Sequence, residues 1–257
     1  MKHMIIQIYE VQNPGEAQKL IEIGVDHIGS VVLSDDDWKI PAVKATIDLV
    51  RASTAKSSLI PLFNSLDSVL RTLDYYQPDI VHFCEALTDQ EDVWKYCERL
   101  CRLQEDVKHR FSRIQIMRSI PIAPSDRSHL VPTLELARVF EATSDYFLTD
   151  TLLVGNPDSE ADFQPVQGFV GITGQTCCWR TAAKLVEASN LPVILAGGIS
   201  PDNVAAGILK TRPAGIDSCT QTNALDERGA PIRFKKDIQK VKLLVESVRE
   251  AEKTLGV

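Results

Sequence analysis

Short apolar runs alternate with longer segments of helical period along the whole chain, and this alternation constrains the fold most strongly. We predict strands at Met4–Tyr9, His27–Leu33, Ser58–Phe63, Asp79–Phe83, Arg113–Arg118, Tyr146–Thr149, Pro192–Ala196 and Gly215–Asp217. The predicted helices are Pro14–Ile23, Ala42–Ala52, Leu66–Tyr76, Gln90–Lys108, Pro132–Ala142, Thr176–Ala188, Pro201–Leu209 and Lys235–Thr254. Strict alternation of this kind indicates a parallel sheet covered by helices. Eight such units in 257 residues favour closure into a single (β/α)8 TIM barrel, one α/β domain over residues 1–257.

Charge and composition narrow the classes of partner. The formal net charge is −7 with no basic run, which argues against nucleic acid and anionic membranes as partners. The chain has no run near 18 apolar residues, so we expect no membrane span. The first strand is interrupted too early by Gln7 and Glu10 to be a signal peptide. Six cysteines in a chain of this length indicate reduced thiols and a cytoplasmic protein.

The segment Leu191–Asp217 carries the clearest functional signal. Its short strand ends in Gly197-Gly198, where the backbone can approach a ligand and offer N–H groups to it. Ser200 is predicted to cap the next helix, with Pro201 as its first residue. Free N–H groups beside a helix N-terminus form an anion site, most often for phosphate.

Three motifs, in order and at the right spacing, give a family resemblance. They are Asp145–Thr151, Gly171–Thr176 followed by Trp179, and Leu195–Val204 followed by Gly215–Ser218. In these segments the chain resembles the phosphoribosylanthranilate isomerases of tryptophan biosynthesis, and the resemblance extends over nearly the whole sequence.

The resemblance implies an isomerase of the intramolecular oxidoreductase class, which converts a phosphorylated aminoaldose to an aminoketose by an Amadori rearrangement. It implies a phosphorylated small-molecule substrate, no cofactor, and Asp150 as the general acid. The implied phosphate and substrate contacts are Thr173, Gly174, Gly197, Gly198 and Ser218. Asp217, Arg118 and Asn64 are also expected to contribute to substrate or phosphate binding.

The chain departs from the family pattern at the base and at the carboxylate-binding arginine. The family has Lys-Ile-Cys-Gly after the first strand, with cysteine as the base, whereas Tyr9 stands at that position here. Tyr9 is either an acid/base group or a packing residue, and its usual pKa of about 10 favours packing. Cys84, in the altered motif after the fourth strand, is either a displaced thiol base or a small buried residue. No arginine follows the second strand, where three aspartates between Ser34 and Lys39 would repel a substrate carboxylate.

Strand parity selects side chains that should face the mouth of the barrel. The predicted set is Tyr9, Asn64, Cys84, Arg118, Asp150 and Asp217. Arg118 either replaces the missing clamp or forms an ion pair with Asp150 or Asp217. Glu10, which has the opposite parity, is a fallback base and is expected to point away. The cysteines and histidines lack the paired spacing of a metal site, so we expect no metal.

Two other functions stay open on the same scaffold. One is a different phosphate-dependent lyase or synthase, since thiamine phosphate synthase barrels have a similar Gly-Gly loop. The other is a non-catalytic protein that binds a phosphorylated metabolite. The insertion Gly155–Gln167 is either a lid or a surface loop. The last helix is expected to close the barrel, and a homodimer contact through it stays open.

Overall fold

Eight parallel strands form a closed barrel in the order β1 to β8, which confirms the predicted TIM barrel. The computed structural model describes residues 3–88, 91–154 and 165–256. The strands are β1 (Ile5–Ile8), β2 (His27–Val32), β3 (Lys56–Pro61), β4 (Ile80–Phe83), β5 (Gln115–Ile122), β6 (Tyr146–Thr151), β7 (Val193–Leu195) and β8 (Gly215–Ser218). The helices are α1 (Pro14–Glu22), α2 (Pro41–Arg51), α3 (Leu66–Tyr76), α4 (Val93–Arg110), α5 (Thr133–Phe140), α6 (Trp179–Ala188), α7 (Val204–Thr211) and α8 (Ile238–Leu255).

The apolar residues form a small core inside the barrel and larger ones between the strands and the helices. Alternate residues along a strand face opposite sides. Ile80, Met117, Leu148 and Ile194 therefore pack together in the barrel interior. The other side of each strand packs against the apolar faces of the helices. None of the described helices combines the length and the apolar character needed to cross a bilayer.

The start of α7 differs from the prediction. Residues 201–203 form a turn, and the helix begins at Val204 with Asn203 in the capping position, so Ser200 is not the cap. The Asn203 side chain accepts the Ser200 N–H at 2.9 Å and donates to the Gly198 carbonyl at 2.8 Å. Asparagine readily closes a turn on its own backbone in this way, which delays the helix. The turn holds the Gly197-Gly198 loop in place.

A two-stranded hairpin precedes the last helix. The sequence predicted that this helix starts at Lys235, but Lys235 and Lys236 belong to the hairpin. It consists of β9 (Asn223–Leu225) and β10 (Pro231–Lys236), which pair antiparallel. The helix α8 begins only after Asp237, whose carboxylate accepts the N–H groups of Gln239 and Lys240. The hairpin thus adds a short arm above β8, next to β1.

Two predicted features fall partly or wholly outside the described residues. The insertion Gly155–Gln167 is described only from residue 165 onward. The predicted start of α4 at Gln90 is also outside them, and the helix begins at Val93 with Asp92 as its cap.

Candidate functional site

The carboxyl ends of the strands surround one cavity with two contiguous parts. An apolar half with about 540 Å³ of open space is lined by residues that include Val31, Ile60, Leu62, Leu148 and Phe169. A polar half of about 350 Å³ is lined by the loops that follow β6, β7 and β8. The residues Asp150, Ile172, Asp217 and Cys219 belong to both halves. The two aspartates therefore stand where the halves meet.

The Gly197-Gly198 loop forms one wall of the polar half. Both glycines have positive φ angles, 88° and 61°, which other residues rarely adopt. A Cβ on Gly198 would lie 2.6 Å from the backbone carbon of Gln175, so only glycine lets the two loops pack this closely. Within the described part of the chain, the N–H groups of Gly174, Gly197 and Gly198 have no hydrogen-bond acceptor. This half can therefore offer backbone donors to an anion.

Side-chain hydrogen bonds connect the other loops of the polar half. Gln221 donates to the Gly174 carbonyl at 2.9 Å, and the Ser218 hydroxyl donates to the Ile199 carbonyl at 2.7 Å. A 3-10 helix at Thr220–Thr222 follows β8, the position at which TIM barrels often carry a short helix for phosphate binding. The structure thus brings together the predicted contacts Thr173, Gly174, Gly197, Gly198 and Ser218.

The carboxyls of Asp150 and Asp217 both have raised pKa values. Burial raises the pKa of Asp150 to about 7, and the Thr151 N–H, which donates to it at 2.8 Å, offsets part of this rise. Burial also raises the pKa of Asp217 to about 7, although its hydrogen bond from Gln7 acts in the opposite direction. Gly171 packs closely over Asp150, because a Cβ there would lie 2.7 Å from Oδ2. Near neutral pH, carboxyls of this kind can donate or accept a proton.

Tyr9 and Cys84 both line the apolar half, but their polar atoms are poorly suited to acid–base chemistry. The Tyr9 hydroxyl contacts Ser58 and lies 2.9 Å from Nδ1 of His82, inside the barrel. Burial raises the pKa of Tyr9 and of Cys84 well above their ordinary values. The contacts of the Tyr9 hydroxyl and the burial of Cys84, which is 4% exposed, favour the packing interpretation for both residues.

Arg118 does not face the mouth, so the predicted inward orientation is wrong. It lies in the middle of β5, fully buried on the helix side of the sheet, where it pairs with Glu85 and donates to Gln104 at 2.8 Å. Its guanidinium also stacks near the rings of Phe83 and Phe140. It therefore contacts neither Asp150 nor Asp217.

Asn64 also lies away from the cavity lining. Its side chain donates to the Tyr96 hydroxyl at 3.2 Å and accepts from Arg99 at 3.4 Å, on the side of α4. The predicted strand ends at Phe63, next to Asn64. The observed strand β3 ends at Pro61, so Asn64 lies three residues beyond it. The prediction that Asn64 faces the mouth is therefore wrong. Among the described residues, no group of three side chains could hold a metal ion.

Sequence comparison gives relatives in one family. No family model matches the chain. An N-(5'-phosphoribosyl)anthranilate isomerase of Methanocella arvoryzae is 34% identical over 116 residues, 45% of each chain. The enzyme of the same name from Methanothrix thermoacetophila is 24% identical over 92% of this chain and 97% of its own length. The chain is therefore similar in sequence to phosphoribosylanthranilate isomerases, at 24% identity over nearly its whole length.

Solved structures of phosphoribosylanthranilate isomerases share the barrel. The Pyrococcus furiosus protein superposes with a TM-score of 0.64 and 16% identity, over 96% of this chain and 100% of that one. Another matches with a TM-score of 0.62 and 16% identity over 96% and 100%, and is in complex with reduced 1-(o-carboxyphenylamino)-1-deoxyribulose 5-phosphate. A thiamine phosphate pyrophosphorylase from Pyrococcus furiosus has a TM-score of 0.57 at 18% identity, over 97% of each chain. At these identities the structures show the common fold alone.

Against the phosphoribosylanthranilate isomerase pattern, the loop after β1 is the main change. Tyr9 stands in place of the cysteine, and Gly29 on β2 leaves room for its ring, since a Cβ there would lie 2.1 Å from Tyr9 Cδ1. Glu10 stands in place of the family glycine and keeps a left-handed backbone with φ of 61°. This φ turns Glu10 toward the cavity, so the expectation from strand parity that Glu10 points away is wrong. The Glu10 side chain is buried there, with 2% exposure.

The sequence analysis missed Arg233, which the hairpin brings to the mouth. Its Nε donates to Glu10 Oε1 at 2.7 Å, and it lines the apolar half. The alternation of apolar Ile232 and Phe234 with charged Arg233 and Lys235 is the sequence signal that could have predicted this strand. Lys236 at its end donates to the Cys219 carbonyl at 3.0 Å and so fixes the hairpin to the loop after β8.

Proposed function

We propose that this protein is an aldose–ketose isomerase acting on a phosphorylated aminosugar, with Asp150 as general acid. One observation carries the proposal: the Asp150 carboxyl lies between the polar half and the apolar half of the same cavity. A substrate with phosphate at one end and an aromatic amine at the other would place its sugar ring beside this carboxyl. The names of the relatives support phosphoribosylanthranilate as that substrate.

Asp150 suits the ring-opening step. With a pKa of about 7, part of the Asp150 population holds a proton at neutral pH. The proton passes to the ring oxygen while the bond between that oxygen and C1 breaks, and the amine nitrogen forms a double bond to C1. Loss of the C2 proton then gives an enaminol, which becomes the ketose when C1 gains a proton and the C2 hydroxyl loses one. Proton transfer from a well-placed acid contributes about 10²–10⁴ to such a rate.

The two halves of the cavity suit the two ends of this substrate. Backbone N–H groups at Gly174, Gly197 and Gly198 can bind the phosphate without a cationic side chain. This suits a chain whose net charge is −7. The side chains of the apolar half, such as Ile60 and Phe169, can cover an aromatic ring. The six free cysteines support the prediction of a cytoplasmic protein, and the homodimer stays an untested prediction.

The test is turnover of freshly made phosphoribosylanthranilate, followed by the loss of its anthranilate-type fluorescence. We expect the wild-type protein to consume it and Asp150→Asn to lose at least a hundredfold in kcat. Asp106→Asn, an exposed aspartate on α4, is the matched control and should keep full activity. Equal rates for Asp150→Asn and the control would contradict the assignment of the acid.

A second candidate is a non-catalytic protein that binds a phosphorylated metabolite. The observation that favours it is Tyr9, whose hydroxyl is committed to Ser58 and His82 where the family has its base. In that case the sugar phosphate would raise the melting temperature but return unchanged after long incubation.

A further inference from the structure

We propose that Asp217 is the base that removes the C2 proton, in place of the cysteine that this chain lacks. This inference rests on the proposed function and adds a second catalytic residue to it. The position of Asp217 is its main support, since it ends β8 and lines both halves of the cavity together with Asp150.

A row of hydrogen bonds across three neighbouring strands orients the Asp217 carboxylate. Gln7 on β1 is paired in register with His27 on β2 and with Asp217 on β8. Gln7 Nε2 donates to Asp217 Oδ1 at 3.1 Å, and Gln7 Oε1 lies 3.1 Å from His27 Nδ1. With the amide in this orientation, His27 must carry its proton on Nδ1.

This row favours an ionised Asp217 with one free oxygen. Burial lowers the pKa of His27 to about 4, so the histidine is neutral and donates one hydrogen bond to Gln7. Gln7 in turn can only donate to Asp217 through Nε2, which stabilises the carboxylate form. Within the described part of the chain, Asp217 Oδ2 accepts no hydrogen bond. This oxygen is available to a substrate proton.

The other titratable groups of the described mouth are worse bases. The Tyr9 hydroxyl is committed to Ser58 and His82. Cys84 is a buried thiol and Cys219 a partly buried one, and desolvation raises both pKa values, so neither forms a thiolate at neutral pH. Glu10 accepts both bonds from Arg233 through Oε1, so it is held in an ion pair, although its Oε2 has no hydrogen-bond partner among the described residues. Among these described groups, Asp217 combines a free oxygen with a place beside Asp150 in both halves of the cavity, whereas Glu10 lines the apolar half alone.

The two aspartates together neither gain nor lose a proton in these steps. Asp150 gives one proton to the ring oxygen and becomes ionised. Asp217 takes the C2 proton, the C2–H electron pair forms the C1–C2 double bond, and the electrons of the C1–N double bond return to nitrogen. The pair holds one proton before and after these steps, on opposite members. Their mutual repulsion raises the Asp217 pKa and favours this singly protonated state.

The experiment compares wild type, Asp217→Asn and Asp217→Ala with phosphoribosylanthranilate carrying protium or deuterium at C2. We expect Asp217→Asn to lose at least a hundredfold in kcat while KM changes less than threefold. Formate should restore part of the activity of Asp217→Ala, because it supplies a small carboxylate to the vacated space. Binding of reduced 1-(o-carboxyphenylamino)-1-deoxyribulose 5-phosphate by each variant shows that its site is folded.

Gln7→Met tests the positioning row. It keeps the volume of Gln7 but removes the donor, so we expect about a tenfold loss of kcat, an unchanged KM and a larger isotope effect at C2. The inference is overturned if Asp217→Asn keeps kcat within tenfold of the wild type, or if formate gives no rescue. If the wild type itself gives no turnover, the proposed function fails, and this inference fails with it.

Discussion

The hydroxyl of Tyr9 lies 2.9 Å from Nδ1 of His82, and His82 Nε2 lies 2.8 Å from the Ser119 hydroxyl. This chain of polar groups crosses the barrel interior from β1 through β4 to β5. Burial lowers the pKa of His82 to about 3, so it stays neutral at physiological pH. The tyrosine that replaces the family cysteine is therefore a structural part of the barrel.

Replacing Tyr9 with phenylalanine tests that conclusion. Removal of the hydroxyl leaves Nδ1 of His82 and the Ser58 hydroxyl without this partner, which costs about 1–3 kcal/mol of unfolding free energy. We expect kcat to stay within fivefold of the wild type, because the ring still fills the space above Gly29. Urea denaturation and initial rates measure the two effects, with Tyr75→Phe as the control. A hundredfold loss of kcat in a folded Tyr9→Phe variant would instead make Tyr9 catalytic.

The raised pKa of Asp150 predicts a stability that falls as the pH rises. Because the folded-state pKa of about 7 exceeds the ordinary value of 3.8, the protonated carboxyl favours folding. That contribution is complete below about pH 4 and is lost as the pH passes through about 7. Asp150→Asn, which cannot ionise, should therefore be more stable than the wild type by about 4 kcal/mol at pH 8 and nearly equal to it at pH 4. Denaturation at both pH values measures this, and an equal difference at both would contradict it.

The buried ion pair between Arg118 and Glu85 should be costly to break from one side. Both residues are at most 1% exposed. Arg118→Met leaves Glu85 charged and buried, so we expect a loss of about 3–5 kcal/mol. The double variant Arg118→Met/Glu85→Met should recover most of that loss. Arg102→Met, which breaks an exposed pair with Glu98, is the control and should change stability by less than about 1 kcal/mol. A double variant as unstable as the single one would contradict the account.

Gly198→Ala tests the polar half as an anion site. The added Cβ would press on the Gln175–Thr176 backbone at 2.6–2.8 Å, in a conformation that alanine disfavours. We expect at least a tenfold weaker affinity for inorganic phosphate by calorimetry. Gly229→Ala is the matched control, since Gly229 also has a positive φ, of 81°, but no atom lies near its Cβ. Unchanged phosphate affinity in Gly198→Ala would place the anion elsewhere.

The sequence predicted those parts of the site that depend on local motifs. The glycine loops and Asp150 lie where their motifs indicated, because each motif sits at the end of a strand whose position follows from the alternation. Arg118 was misplaced because β5 continues to Ile122, and only Pro121 on that strand reaches the level of Asp150. Almost every residue of β5 is buried, whichever face of the sheet it lies on. Its sequence therefore shows no alternation from which to predict which side chains face the barrel interior.

The contacts of Glu10 and Arg233 could not be predicted in the same way. Their pairing joins positions 223 residues apart and depends on a left-handed φ at Glu10 and on the hairpin before α8. The charged end of β10, Lys235-Lys236, continues into a helical pattern, which hid the strand. Such long-range pairs follow from tertiary geometry rather than from local periodicity.

The most direct test of the central claim is the identity of the product formed from phosphoribosylanthranilate labelled with ¹³C at C2 of the ribose. We predict that the wild-type protein converts the labelled carbinol carbon to a ketone carbon, seen by ¹³C NMR, and that Asp150→Asn does so at least a hundredfold more slowly. A folded wild-type protein that binds the sugar phosphate but leaves the C2 signal unchanged would contradict the assignment as an aldose–ketose isomerase.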